Sequence, residues 1–183
     1  AMAEEISTPG EGQIRALFTG AGNPVLSTPN GRQLDAALPL LQFMVSLDPY
    51  INETTRHADI ILPPSSPLEH DHYDLGFHIN AIRNTARFSE PVFTPAPDSL
   101  HDWEIFTELG NRISVMLGGE AEAHQPPADR IDMGLQMGPY SAARGSEHEL
   151  TLQKLRDNPS GIDLGPLQPQ LPERLHTPDK IIQ

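Results

Sequence analysis

The sequence predicts an α/β fold, a mostly parallel sheet followed by a Pro-rich, partly helical extended tail. Three observations carry that expectation. The apolar runs Phe43-Met44-Val45 and Ile60-Ile61-Leu62 lead into Asp48 and into Pro63-Pro64, as buried parallel strands lead into polar turns at their carboxyl ends. Strand-like and helix-like stretches alternate between residues 14 and 62 at a pitch that implies right-handed crossovers. Residues 159–178 carry a proline every few positions, which suits a strap wrapped on another surface and not a core of its own.

Taken in order, residues 1–12 read as the frayed end of a helix cut from something longer, without the basic and apolar regions of a signal peptide. Residues 14–19, IRALFT, read as a short buried strand, and GAGNP as the turn after it, with no clear helix start at the glycines. LDAALPLL, residues 34–41, has apolar residues at helical spacing, with Pro39 ending or kinking the helix. Residues 43–47 form the next strand, and 52–58 a helical turn with Asn52 as N-cap. Residues 60–62 form the third strand.

Residues 69–87 are polar and weakly patterned, which fits short antiparallel pieces or an excursion around the sheet. The clearest helix is 101–117, where Trp103, Phe106, Leu109, Ile113 and Leu117 recur at spacings of three and four before Gly118-Gly119. A boundary at Pro126-Pro127 separates a domain of residues 1–120 from residues 121–183, in which 131–137 and 150–158 read as short helices.

Composition narrows the function classes. The net charge of -13 argues against free nucleic acid and anionic membranes as partners, since both require clustered Lys and Arg. With no cysteine in 183 residues, the chain supplies no disulfide, iron–sulfur ligand or thiolate nucleophile. A reduced cytosol is compatible with that composition without being required by it. No apolar run approaches the roughly 20 residues of a membrane span.

Four groups of residues could carry chemistry. The turn Gly20-Ala21-Gly22-Asn23-Pro24 could bring backbone N–H groups to an anion, or be only a tight turn. Asp48, at a strand end, could accept from ribose hydroxyls or from the paired donors of guanine, or could cap the turn that follows. Asp102 offers the same choice at a helix start, where an acid also complements the helix dipole. The stretch Glu69-His70-Asp71-His72-Tyr73-Asp74, with His78 beyond it, has metal-ligating side chains but no HExxH pairing, so a solvated polar loop is the competing reading. The chain has neither a GxSxG elbow nor a Ser–Lys pair. From its residues alone it is an acidic α/β domain with a candidate nucleotide pocket.

Gly22-Asn23-Pro24, Asp48, Thr54 and Ala58-Asp59-Ile60-Ile61-Leu62-Pro63, in that order, resemble the molybdopterin oxidoreductase superfamily of DMSO reductase, nitrate reductase and formate dehydrogenase type. The resemblance runs from about residue 14 to 117 and includes Asp102-Trp103. The tail resembles the linker that members carry before their last domain. The resemblance implies a Rossmann-like three-layer domain that holds the guanosine diphosphate arm of one molybdopterin guanine dinucleotide.

It further implies that Gly22 and Asn23 approach the phosphates or pterin side, that Leu47 and Asp48 flank the guanosine, and that Asn52 bonds to the nucleotide. His70 stands where some members have Lys, and Asp102 would contact base or ribose. Which of Asp48 and Asp102 takes guanine stays open. The implied parent carries molybdenum bis-(molybdopterin guanine dinucleotide) and a 4Fe-4S cluster, acts on a small-molecule substrate, and supplies its other domains as partners. This chain has no matching cysteines and no molybdenum ligand, so it is expected to be inactive alone and to bind no cofactor by itself. Two further readings compete: a metal hydrolase using the Glu69 to His78 stretch, and a non-catalytic interaction module built on the tail.

Overall fold

The computed structural model describes residues 2–182. They form two compact units: the residues up to Ser66 together with Pro95–Glu122, and Pro67–Thr94 together with the residues from Ala123 onward.

The first unit is an α/β layer structure. Helix α1 (Met2–Ser7) buries Ala3 and Ile6. Strand β1 (Ala16–Gly20), helices α2 (Pro24–Ser27) and α3 (Gly31–Ala37), and strands β2 (Phe43–Leu47) and β3 (Ile60–Leu62) follow. The strands pair in parallel in the order β1-β2-β3. Helix α3 stops at Ala37 and the chain tightens into a 3-10 turn, Leu38–Leu40, because Pro39 has no N–H to continue the α-helical ladder.

Leu17 is in register with Met44, and Phe18 with Val45, so each pair shares a face of the sheet. Leu17 and Met44 pack with Ile6, Leu34, Ala37 and Leu38 in the main core of this unit. Phe18, on the other face, meets Phe106 of helix α4 (Asp102–Met116), with ring centroids 5.2 Å apart. Helix, sheet and helix make three layers, the expected parallel α/β class.

Two details differ from the sequence reading, and a third adds to it. β1 lies at the sheet edge, and its side chains alternate between exposed and half-buried instead of being buried. A helix does begin at the glycine turn, since α2 starts at Pro24. The expected apolar stripe of α4 is largely uncovered: Phe106, Ile113 and Leu117 are 48%, 57% and 82% exposed, and the buried residue is Ile105. The start of α4 matches expectation, with His101 N–H donating to Glu104 Oε2 at 2.8 Å in a capping box. At its end Gly118 takes a φ of +85° and Gly119 N–H bonds to the Ser114 carbonyl at 2.8 Å.

The second unit has its own core. Strand β4 (His72–Tyr73) pairs antiparallel with β6 (Phe88–Ser89), and β5 (Arg83–Ala86) with β7 (Ile162–Pro166). Helices α5 (Pro127–Met137) and α6 (Leu152–Arg156) help enclose Phe88, Leu135, Leu150 and Leu155. Thr151 caps α6 by accepting from Lys154 N–H at 3.1 Å. Residues 69–87 thus supply short antiparallel pieces. As expected, the Pro-rich tail lies on another surface: it contributes β7, and Ile162 and Leu164 pack against the core. Pro166 is the last residue of this strand, so the donors before it stay available for β5. No helix among the described residues is long and apolar enough to cross a membrane.

Candidate functional site

The carboxyl ends of β1 and β2 open into two turns that are bonded to each other. Ala21 N–H donates to the Leu47 carbonyl at 3.0 Å, fixing the glycine turn against the end of β2. Ala21, not a glycine, takes the left-handed conformation, with φ at +50°. Gly20 has a different neighbour. A Cβ there would lie 2.9 Å from Phe106 Cζ, so the missing side chain makes room for an aromatic ring in its present position. The N–H groups of Gly22 and Asn23 donate to no acceptor among the described residues.

Thr54 is the hub between the two turns. Its side chain is fully buried. Oγ1 accepts from Val25 N–H at 3.0 Å and donates to Asn23 Oδ1 at 2.7 Å. Asn23 Nδ2 in turn donates to Glu53 Oε2 at 2.7 Å. That bond holds the Glu53 carboxyl below its ordinary range.

Asp48 and Asn52 complete the arrangement. Asp48 is 8% exposed, and its two oxygens accept from Tyr50 N–H at 2.8 Å and Asn52 Nδ2 at 3.2 Å. Asn52 Oδ1 accepts from Thr54 N–H at 2.9 Å and Thr55 N–H at 3.0 Å, so Asn52 caps the 3-10 turn Thr55–His57. Thr55 closes the loop by donating to the Tyr50 carbonyl at 2.8 Å. The turn-capping role of Asp48 and Asn52 is therefore realised. It leaves Asp48 further acceptor capacity, since a carboxylate offers about four lone-pair sites.

Gly22, Asn23, Leu47, Asp48 and Asn52 thus come together at the carboxyl ends of β1 and β2. Asp102 stands exposed at the first position of α4, where its Oδ1 accepts from Trp103 N–H at 2.8 Å. No hydrogen bond joins Asp102 to the two turns among the described residues. His70 belongs to the second unit, where its Nδ1 lies 2.8 Å from the Asp71 carbonyl.

Asp74 and His78 of the Glu69 to His78 stretch serve local structure. Asp74 accepts from Phe77 N–H at 2.9 Å, and His78 hydrogen-bonds to Thr85 Oγ1. Among the described residues no three His, Asp or Glu side chains group as metal ligands.

Two polar residues were not singled out as site residues from sequence. Glu53 carries no signal beyond its charge. Asp59 pins the start of β3 to β2: its Oδ2 accepts from Met44 N–H at 2.7 Å and its own N–H donates to the Met44 carbonyl at 2.8 Å. An acid placed just before an apolar strand run was the available cue. Below the turns, Asp35 of α3 accepts two bonds from Arg56, at 2.7 and 2.9 Å, and lies 2.7 Å from His57 Nε2. The Arg56 guanidinium, and then His57, lower the Asp35 carboxyl from its ordinary value.

Comparison with known proteins gives the family of the chain. The family model described as molybdopterin oxidoreductase matches residues 1–112. The assimilatory nitrate reductase catalytic subunit of Bacillus subtilis (strain 168) is 36% identical over 118 residues, covering 61% of this chain and 15% of that protein. The NADPH-Fe(3+) oxidoreductase subunit alpha of Geobacter sulfurreducens (strain DL-1 / KN400) is 26% identical over 157 residues, covering 86% of this chain and 17% of that subunit. The chain thus spans less than a fifth of the length of either relative.

Proposed function

The chain belongs to the molybdopterin oxidoreductase family, and from that premise we propose that its first unit holds the guanosine diphosphate arm of a molybdopterin guanine dinucleotide in a molybdenum-dependent oxidoreductase. The observation that carries this reading is the pair of bonded turns at the carboxyl ends of β1 and β2, linked by Ala21 to Leu47 and by Asn23 to Thr54. Open parallel sheets bind nucleotides outside such strand ends.

The residues fit the group unevenly. Asp48 retains acceptor capacity for the two donors on one edge of guanine. Leu47 packs at the strand end beneath it, and Asn52 orients the carboxylate. The unbonded N–H groups of Gly22 and Asn23 suit an anion. Glu53, by contrast, sets a carboxylate on Asn23 Nδ2, so a diphosphate must displace it there. Asp102 remains part of the proposal as an outer contact, whereas His70 belongs to the second unit. When bound, the cofactor supplies redox chemistry at molybdenum; the residues here bind and orient its nucleotide end. A 4Fe-4S cluster, the small-molecule substrate and the remaining domains belong to the proposed parent enzyme.

Replacing Asp48 by Ala in the whole parent enzyme tests the reading. Molybdenum and guanine nucleotide content are expected to fall together; unchanged loading would refute the Asp48 assignment. Calorimetry of this chain with GDP is expected to show no binding in the micromolar range, because Glu53 opposes the phosphates and the chain carries a net charge of -13.

A further inference from the structure

The second unit contains a cavity of about 530 Å³ that the nucleotide reading does not use. Its volume lies in the range of small-molecule sites. Tyr73, Leu135, Leu150 and Leu164 are among its mainly apolar lining residues. Its charges run against the rest of the chain. The sequence has 25 Asp and Glu against 12 Lys and Arg, yet two arginines line the cavity and no Asp or Glu does.

The two arginines are not equivalent. Arg83 is already neutralised by Asp163, with N–O distances of 2.7 to 3.2 Å. Arg130 donates through Nε to Gln125 Oε1 at 3.2 Å, and its terminal nitrogens reach no acceptor among the described residues. The cavity therefore offers an apolar body and one uncompensated guanidinium, whose planar fork matches a carboxylate.

We propose that this cavity binds a small amphipathic organic anion, with its apolar part among the leucines and its carboxylate on Arg130. One cation without an acidic partner among the described residues selects for a single negative charge, which distinguishes this ligand from a nucleotide diphosphate. The proposal is independent of the first unit and of its cofactor.

Octanoate is a suitable probe, with octanol as its uncharged counterpart. Calorimetric titration of the full chain should show one saturable octanoate site, with octanol at least tenfold weaker. Arg130→Glu should weaken octanoate at least tenfold and leave octanol nearly unchanged. Gly134→Leu should abolish binding of both. Gly134 lines the cavity, and a Cβ there meets nothing within 4 Å; leucine is also the better helix former, so this variant folds even if Arg130→Glu does not. Circular dichroism checks both. The proposal is overturned by no octanoate binding, by many-site binding, by equal affinity for octanol, or by a Gly134→Leu chain that binds octanoate normally.

Discussion

The two units solve opposite packing problems. At the strand ends of the first, polar side chains close on one another: Thr54, Asn23, Asn52 and Asp48 form one continuous set of hydrogen bonds. In the second, apolar side chains surround a space they do not fill. A polar cluster must be saturated because an unpaired buried group costs more than a bonded one returns. An apolar cavity forfeits only dispersion contacts, and so can remain open.

The comparison breaks most visibly under the same change made in each unit. A Cβ on Gly31 would lie 1.7 Å from the Val25 carbonyl oxygen, a backbone clash that no rotamer relieves. Gly31→Ala should therefore destabilise the chain by more than about 3 kcal/mol, measured by urea unfolding. Thr54→Val comes next. It strands the Val25 N–H and the Asn23 oxygen, at a cost of about 1–3 kcal/mol, while Thr54→Ser should keep most of the stability. A Thr54→Val chain as stable as the parent would show that the cluster is not saturated from within.

Gly134→Ala should have the opposite sign to Gly31→Ala. With open space around its Cβ position on α5, alanine should stabilise by about 0.5–1 kcal/mol through helix propensity. The smallest effect is electrostatic. Because Asp35 titrates lower in the folded chain than its ordinary value, its contribution is complete above about pH 4 and lost as pH falls through the folded value. Asp35→Asn should therefore narrow the gap to the parent in urea midpoint on acidification, and a gap that is constant with pH would remove Asp35 as its source.

Much of the first unit was legible because its signals are local. Phe43 to Leu47 and Ile60 to Leu62 declare themselves as strands, and Asn52 declares a cap by type and position. What local signals could not reveal was pairing across the chain. Nothing in Gly20 announces Phe106, 86 positions later, as the ring beside it. The apolar stripe on α4 did not reveal its exposure, because periodicity reports amphipathicity and not what covers the face. The strand within the tail was hidden for a related reason: β7, with Pro166 at its end, is made by long-range pairing with residues 83–86 and leaves little local trace. The nucleotide-site residues were legible as a set through the spacing of Asp48, Thr54 and the glycine turn, whereas the cavity, assembled from scattered leucines and two arginines, was not.

The edge position of β1 also bears on handling the chain. A sheet of order β1-β2-β3 presents two outer strands, each with a row of backbone donors and acceptors on its far side. Phe18, Phe43 and Ile60 add exposed apolar surface beside them. Such rows are templates for another strand. Concentrated solutions should therefore self-associate by edge pairing. Light scattering should rise with concentration, and a lysine at the exposed Ala16 on β1 should suppress that rise.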